Sequence, residues 1–167
     1  MNEAAELRAL PKIDVADAGL GVTVHAGDGG GPDSVTEALD TTTTRRIGHG
    51  VRSVEDADLP ARLAAESIHL EVCRSCNVQT RAVATYAAHP VRALRSAGVP
   101  VSISTDTRAV TDVDLTGEYA RLGEAFGWTR TAFGEVNRAA PAASFADPSV
   151  RRRLAGVLDD AYPKVPA

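Results

Sequence analysis

Short apolar runs alternate along the chain with stretches whose apolar positions recur every three or four residues. Leu20 to His25 (LGVTVH) is β-rich and mostly apolar, and predicts a buried strand. Ile47 to Val51 (IGHGV), Ile68 to Cys73 (IHLEVC) and Val99 to Thr105 (VPVSIST) predict three more. Helical spacing fills the intervals. It covers residues 2–10 and 13–18, interrupted at Pro11, and then a segment from Pro32-Asp33-Ser34 to about Asp40. Glu55 to Glu66 places Leu59, Leu63 and Ala64 on one face. His89 to Ala97 stops at Gly98, and Leu115 to Phe126 stops at Gly127. A helix-rich tail follows from Arg130. Strands separated by helices in this order imply an α/β fold with parallel strands and right-handed crossovers. No Pro-rich or Ser/Gly-rich linker interrupts the pattern, so residues 1–167 read as one domain, and Thr41 to Thr44 reads as a loop.

Length limits what that α/β fold can be. A complete (β/α)₈ barrel needs about 250 residues, with roughly 200 as a floor, and this chain has 167. Its 18 basic and 22 acidic residues give a net charge of −4, against the basic footprint of a nucleic-acid surface. Arg151-Arg152-Arg153 reads as a solvated helix face. No apolar run approaches the ~18 residues of a membrane helix. The acidic start Met-Asn-Glu-Ala-Ala-Glu lacks an apolar signal core, so the expectation is a cytoplasmic chain with Cys73 and Cys76 reduced.

Chemistry gathers where the strands end. The first runs into His25-Ala26-Gly27-Asp28, and the second holds His49 between glycines. The third leads to Cys73 and Asn77, and the fourth to Thr105-Asp106. Carboxyl ends of parallel strands carry the site in such folds. Imidazole and carboxylate there suit metal-assisted hydrolysis. Taken singly, each residue has a plainer reading. A histidine after a strand is usually just hydrogen-bonded, Asp106 suits a helix N-cap, and Asp28 in a glycine run suits a turn. Cys73-x-x-Cys76 lacks the second ligand pair of a zinc knuckle and the context of a redox pair. His69 and His89 read as structural.

Together the segments resemble the adenosine deaminase family of zinc-dependent purine deaminases. The matching runs are Val24-His25-Ala26-Gly27, Arg46-Ile47-Gly48-His49-Gly50-Val51, His69-Leu70-Glu71-Val72-Cys73, Ser75-Cys76-Asn77-Val78-Gln79-Thr80 and Ser104-Thr105-Asp106. His89-Pro90, Leu94 and Gly98-Val99 match as well. The resemblance covers roughly residues 15–145 and implies a parallel (β/α) half-barrel, the last four strands of a TIM-barrel-like metal-dependent hydrolase fold. It implies His25 and Asp106 as zinc ligands and His49 as the histidine that orients the attacking water. Asp28 stands at the proton-shuttle position, and Gly27 and Thr107 at substrate-contacting positions. The implied reaction adds hydroxide at C6 of adenosine or a related purine and releases ammonia.

The departures fall on chemical positions. The family's His-x-His, two further zinc ligands, has no counterpart among His25, His49, His69 and His89. Its first half-barrel is absent, so the chain would begin in the helix before the fifth strand. Asp28 replaces a glutamate, withdrawing the carboxylate by roughly 1–1.5 Å, and ~1 Å of misplacement can cost about 10²-fold. Thr107 replaces a second aspartate, and Arg74 and Cys76 replace a proline and a serine. Pro141 falls in a helix interior, at about 3 kcal/mol or more. The expectation is a deaminase-like chain that is inactive alone. Two other readings stay open: a binding or assembly module, whose exposed sheet edges pair with a second copy or a separately encoded N-terminal half, and a remnant with no independent function.

Overall fold

The computed structural model describes residues 19–163. The helices expected over 2–10 and 13–18 lie outside the described residues. Four strands form one sheet in the order β1 (Thr23–Ala26), β2 (Arg46–His49), β3 (His69–Val72) and β4 (Val101–Ile103), and every neighbouring pair is parallel. Ala26 registers with His49, Gly48 with Glu71 and Val72 with Ile103. Side chains alternate between the two faces of a strand. One face, with Ile47, Leu70, Val72, Val101 and Ile103, packs against α1 (Gly31–Thr41), α2 (Leu59–Ala65) and α4 (Val91–Ser96) through Val35, Leu59, Leu63, Val91 and Leu94. The other face is polar. On it Arg46 pairs with Glu71, Thr23 Oγ1 donates to Glu71 Oε2 at 3.3 Å, and buried His69 Nε2 meets Ser102 Oγ at 2.8 Å.

The parallel half-barrel arrangement is as expected, but several boundaries move. Leu20 was expected inside a buried strand. It is 64% exposed, and pairing begins at Thr23. Among the described residues β1 lies at the sheet edge, and its pairing with β2 reaches back only to Thr23. β2 stops at His49 because His49 and Gly50 both take the left-handed region, φ 67 and 65. The chain there turns into a 3₁₀ segment, Val51–Glu55, which displaces the start of the next helix from 55 to Leu59. Asp56 Oδ1 accepts from the backbone N–H of Asp58 and Leu59 at that start. β4 is three residues long, not seven, because the Val99 N–H bonds back to Leu94 of α4.

A helix that the sequence did not announce, α3 (Arg74–Gln79), follows β3 directly. α5 (Arg108–Thr111) follows β4. α6 (Leu115–Phe126) matches its expected span, with Asp114 Oδ1 capping the Gly117 N–H at 2.7 Å and Gly127 closing it at φ 64. α7 (Arg130–Ala143) and α8 (Pro148–Ala161) form the tail. Pro141 sits in the last turn of α7, so its missing N–H deprives one carbonyl rather than breaking the helix. Among the described residues no helix is long and apolar enough to cross a membrane.

Candidate active site

Two left-handed turns assemble the site. After β1 the chain turns at Gly27 (φ 72), whose N–H donates to Ser34 Oγ of α1 at 2.9 Å. After β2 it turns at His49 and Gly50, and Gly50 N–H donates to the Ala26 carbonyl at 2.9 Å. The two turns are thereby tied together. Arg52 spans them, with Nη1 donating to the carbonyls of Asp28 and Gly29, both at 3.1 Å, while Glu55 holds its guanidinium.

His25, Asp28, His49 and Asp106 converge at this end of the sheet. His25 Nε2 lies 3.0 Å from Asp28 Oδ2, and the His25 and His49 rings meet edge-on with centroids 4.4 Å apart. His49 Nε2 lies 3.8 Å from Asp106 Oδ2. Asp106 itself has φ 54, an aspartate held in the left-handed region. Its Oδ2 accepts from the Cys76 thiol at 2.9 Å and its Oδ1 from Thr107 Oγ1 at 3.4 Å. It caps no helix with its side chain; Thr107 is the residue before α5. Gly27 underlies the first turn, and Thr107 is exposed beside Asp106.

Electrostatics separates Asp28 from His49. Burial tends to raise the Asp28 carboxyl, but the Gly29 N–H and the His25 ring outweigh it and hold it below its ordinary value. Burial, then the neighbouring His25, lowers His49, and Asp28 and Asp106 offset only part of this. His49 therefore stays neutral beside an ionised Asp28. Burial, reinforced by the Asp106 charge, pushes Cys73 and Cys76 up to about 12. Both are buried free thiols, without the thiolate character of a redox pair.

Two groups of side chains among the described residues could hold a metal ion: His25 with Asp28 and His49, and His49 with Cys73 and Asp106. Within each, the ligand atoms lie within 4.8 Å of one another. His49 is common to both groups, with His25 in the first and Asp106 in the second. Imidazole nitrogen with carboxylate oxygen is a donor set that zinc accepts.

Two residues that the sequence left without a role join the site or its support. Buried Asn77 donates from Nδ2 to His49 Nδ1 at 3.0 Å and accepts from His89 Nε2 at 3.3 Å. Glu118, fully buried on α6, accepts the Ser75 N–H at 3.0 Å and so caps α3 from outside. Its only sequence signal was a carboxylate one turn before Leu122, on the apolar stripe. His89 is buried, and its Nδ1 accepts the Val91 N–H at 3.2 Å.

The sequence profile of the adenosine deaminase family matches residues 8–161. An adenine deaminase of Agrobacterium fabrum is 44% identical over 150 residues, 89% of this chain and 46% of that protein. One of Rhizobium etli is 45% identical over 143 residues, 85% of this chain and 44% of that protein. Among solved structures, adenine deaminase from Arthrobacter aurescens superposes with a TM-score of 0.83 at 31% identity, covering 87% of this chain and 44% of that one. Arabidopsis ADAL complexed with IMP gives 0.79 at 27%, covering 89% and 43%. The chain thus spans under half the length of each of these proteins. A profile match over nearly the whole chain, with strand-end histidines and aspartates on a parallel sheet of the same shape, has one explanation: this chain belongs to the adenosine deaminase family.

Proposed function

We propose that this chain supplies part of a purine deaminase site, and that the purine is adenine. The observation that carries the reading is the convergence of His25, Asp28, His49 and Asp106 at the carboxyl ends of parallel strands. The adenine deaminases at 44–45% identity favour the free base. His25 and Asp106 would hold zinc, which when bound supplies a water acidic enough to attack carbon at neutral pH. His49, neutral and buried, orients the nucleophile over C6. Asp28, ionised and anchored through Gly29 and Arg52, accepts a proton at Oδ2 and delivers it to the purine ring. The small Gly27 lets the purine approach the backbone, and Thr107 offers it a hydroxyl. Overall the C6 amine leaves as ammonia and oxygen takes its place.

Catalytic zinc normally has three protein ligands besides water, and His25 with Asp106 are two. The residues here therefore act with a segment that carries the remaining ligands. The outer edges of β1 and β4, unpaired among the described residues, favour an accompanying assembly role, in which that segment, or a second copy of this chain, pairs with the sheet.

The test follows adenine absorbance during conversion to hypoxanthine. Zinc-loaded chain alone should show no turnover. The same chain mixed with the His-x-His-bearing half of a relative should retain zinc first and deaminate second. Asp28→Glu with Thr107→Asp in the isolated chain should recover almost nothing. Those changes adjust a proton shuttle worth about 10²–10⁴-fold and one hydrogen bond of roughly 1.5–3 kcal/mol, not the metal. Turnover of about 1–10³ per second by the chain alone would show that it builds a complete site. A mixed complex that holds zinc but leaves adenine intact would overturn the substrate.

A further inference from the structure

We propose that Asn77 and His89 are positioning residues that fix the ring tautomer of His49, so that its proton sits on Nε2, facing Asp106. The consequence for catalysis rests on the deaminase reading above; the tautomer does not.

The direction of every hydrogen bond in this chain of groups follows from its first member. The Val91 N–H opens α4 and can only donate. It lies 3.2 Å from His89 Nδ1, so that nitrogen must carry a lone pair. His89 is a neutral ring, 3% exposed and beside the buried Arg74 charge, so its single proton is on Nε2. Nε2–H donates over 3.3 Å to Asn77, and the acceptor there must be the amide oxygen. The amide nitrogen is then the atom 3.0 Å from His49 Nδ1, and an amide N–H only donates. His49 Nδ1 is therefore a lone pair, and the proton of the neutral ring is on Nε2, 3.8 Å from Asp106 Oδ2.

The opposite assignment fails inside the protein. Turning the Asn77 amide over would let a His49 Nδ1–H donate to its oxygen, but would set its NH₂ against His89 Nε2–H, donor against donor. Asn77 is fully buried, His49 2% exposed and His89 3% exposed. With all three side chains buried from solvent, the bond lost at His89 would count in full. The negative oxygen of Asp106 on the far side of His49 favours the same tautomer. A backbone N–H on α4 thus determines, through two side chains, what β2 presents to the site. Neutral His49 enters as a donor at Nε2 and cannot take a proton there.

Long-range proton–nitrogen correlation spectra of the isotope-labelled, metal-free chain read this directly. At about pH 8, above the ordinary histidine value near 6.5, His49 should show a bare Nδ1 and a protonated Nε2. A through-hydrogen-bond nitrogen–nitrogen coupling should link Asn77 Nδ2 to His49 Nδ1. Asn77→Asp replaces the donor with an acceptor, so His49 should invert to Nδ1–H, while His69, held by Ser102, keeps its signals and reports an intact fold. A wild-type His49 protonated at Nδ1 would overturn the proposal. So would a missing coupling, or a folded Asn77→Asp variant with His49 unchanged. The coupling decides the matter even where Asn77→Asp does not fold. None of these readouts requires turnover, so they separate this inference from the deaminase reading.

Discussion

Gly27 and Gly50 meet at the junction of the two turns that carry Asp28 and His49. Both need a positive φ, 72 and 65, but the space around them differs. A Cβ on Gly50 would meet the far end of Leu70 at 2.6 Å, which a rotamer change relieves. A Cβ on Gly27 would lie 2.8 Å from the Gly50 Cα and 2.6 Å from Val35 Cγ2, and backbone cannot swing aside. Gly50→Ala should therefore cost about 1–3 kcal/mol, and Gly27→Ala distinctly more. Urea midpoints at constant slope compare them. An equal or smaller loss for Gly27→Ala would mean that the turns relax independently. The glycines were visible in the sequence as part of His-Ala-Gly and Gly-His-Gly. Their reason, two backbones in contact, belongs to residues 23 positions apart.

At the scale of elements, two buried opposite charges that make no direct ion pair, Arg74 and Glu118, lie between α3 and α6. Arg74, the first residue of α3, is fully buried with its guanidinium over the rings of Tyr86 and Phe126, 4.8 and 5.0 Å from their centroids. Its Nη2 donates to the Tyr86 carbonyl at 2.8 Å, while Nε and Nη1 have no partner. Burial lowers its pKa and the Glu118 charge is the main opposing influence. Glu118 in turn accepts the Ser75 N–H, and Arg121 Nη1 reaches Ser75 Oγ at 3.3 Å. Glu118→Leu leaves Ser75 without its acceptor and removes the charge that offsets buried Arg74, and should cost about 1–3 kcal/mol. Arg74→Met added to Glu118→Leu removes the stranded charge and should recover much of that loss. Thermal denaturation of the two single variants and the double variant measures the difference. A double variant as unstable as the sum of the singles would show that the two charges act independently. The sequence marked Arg74 only as a departure from the family's proline. Its burial depends on aromatic residues of a loop and of α6.

For the whole molecule, buried neutral histidines set the response to acid. Burial holds His69 at about 4, and burial with the Arg74 charge holds His89 at about 3. In the unfolded chain both return to the ordinary 6.5. Their folded values are depressed, so their contribution is complete above 6.5 and falls as the unfolded state alone takes up protons. Each removes up to about 1.4 kcal/mol per pH unit until pH 4 for His69 and pH 3 for His89. His49 is shifted in the same sense. The depressed Asp28, by contrast, loses its contribution only as pH falls below its ordinary 3.8. Urea midpoints should therefore drop steeply between about pH 6.5 and pH 4, before carboxylates matter. A flat profile across that window would show that both rings reach water.

The order of strands, their parallel sense and the gathering of His25, His49 and Asp106 at one end were legible because each rests on local pattern. Apolar runs bounded by glycine mark strands, helical spacing marks the crossovers, and polar residues after each run mark the ends. The span of α6 was legible too, since Asp114 and Gly127 are local start and stop signals. What tertiary structure decided is what depends on distant partners. Leu20 lies in the open because the pairing of β1 with β2 reaches back only to Thr23, and β2 ends early because two turns must touch. Glu118 is buried because a helix start 43 residues away needs an acceptor. The direction of the His49 ring was the least accessible of all. A sequence gives a histidine two nitrogens, and only the buried path from Val91 through His89 and Asn77 says which one carries the proton.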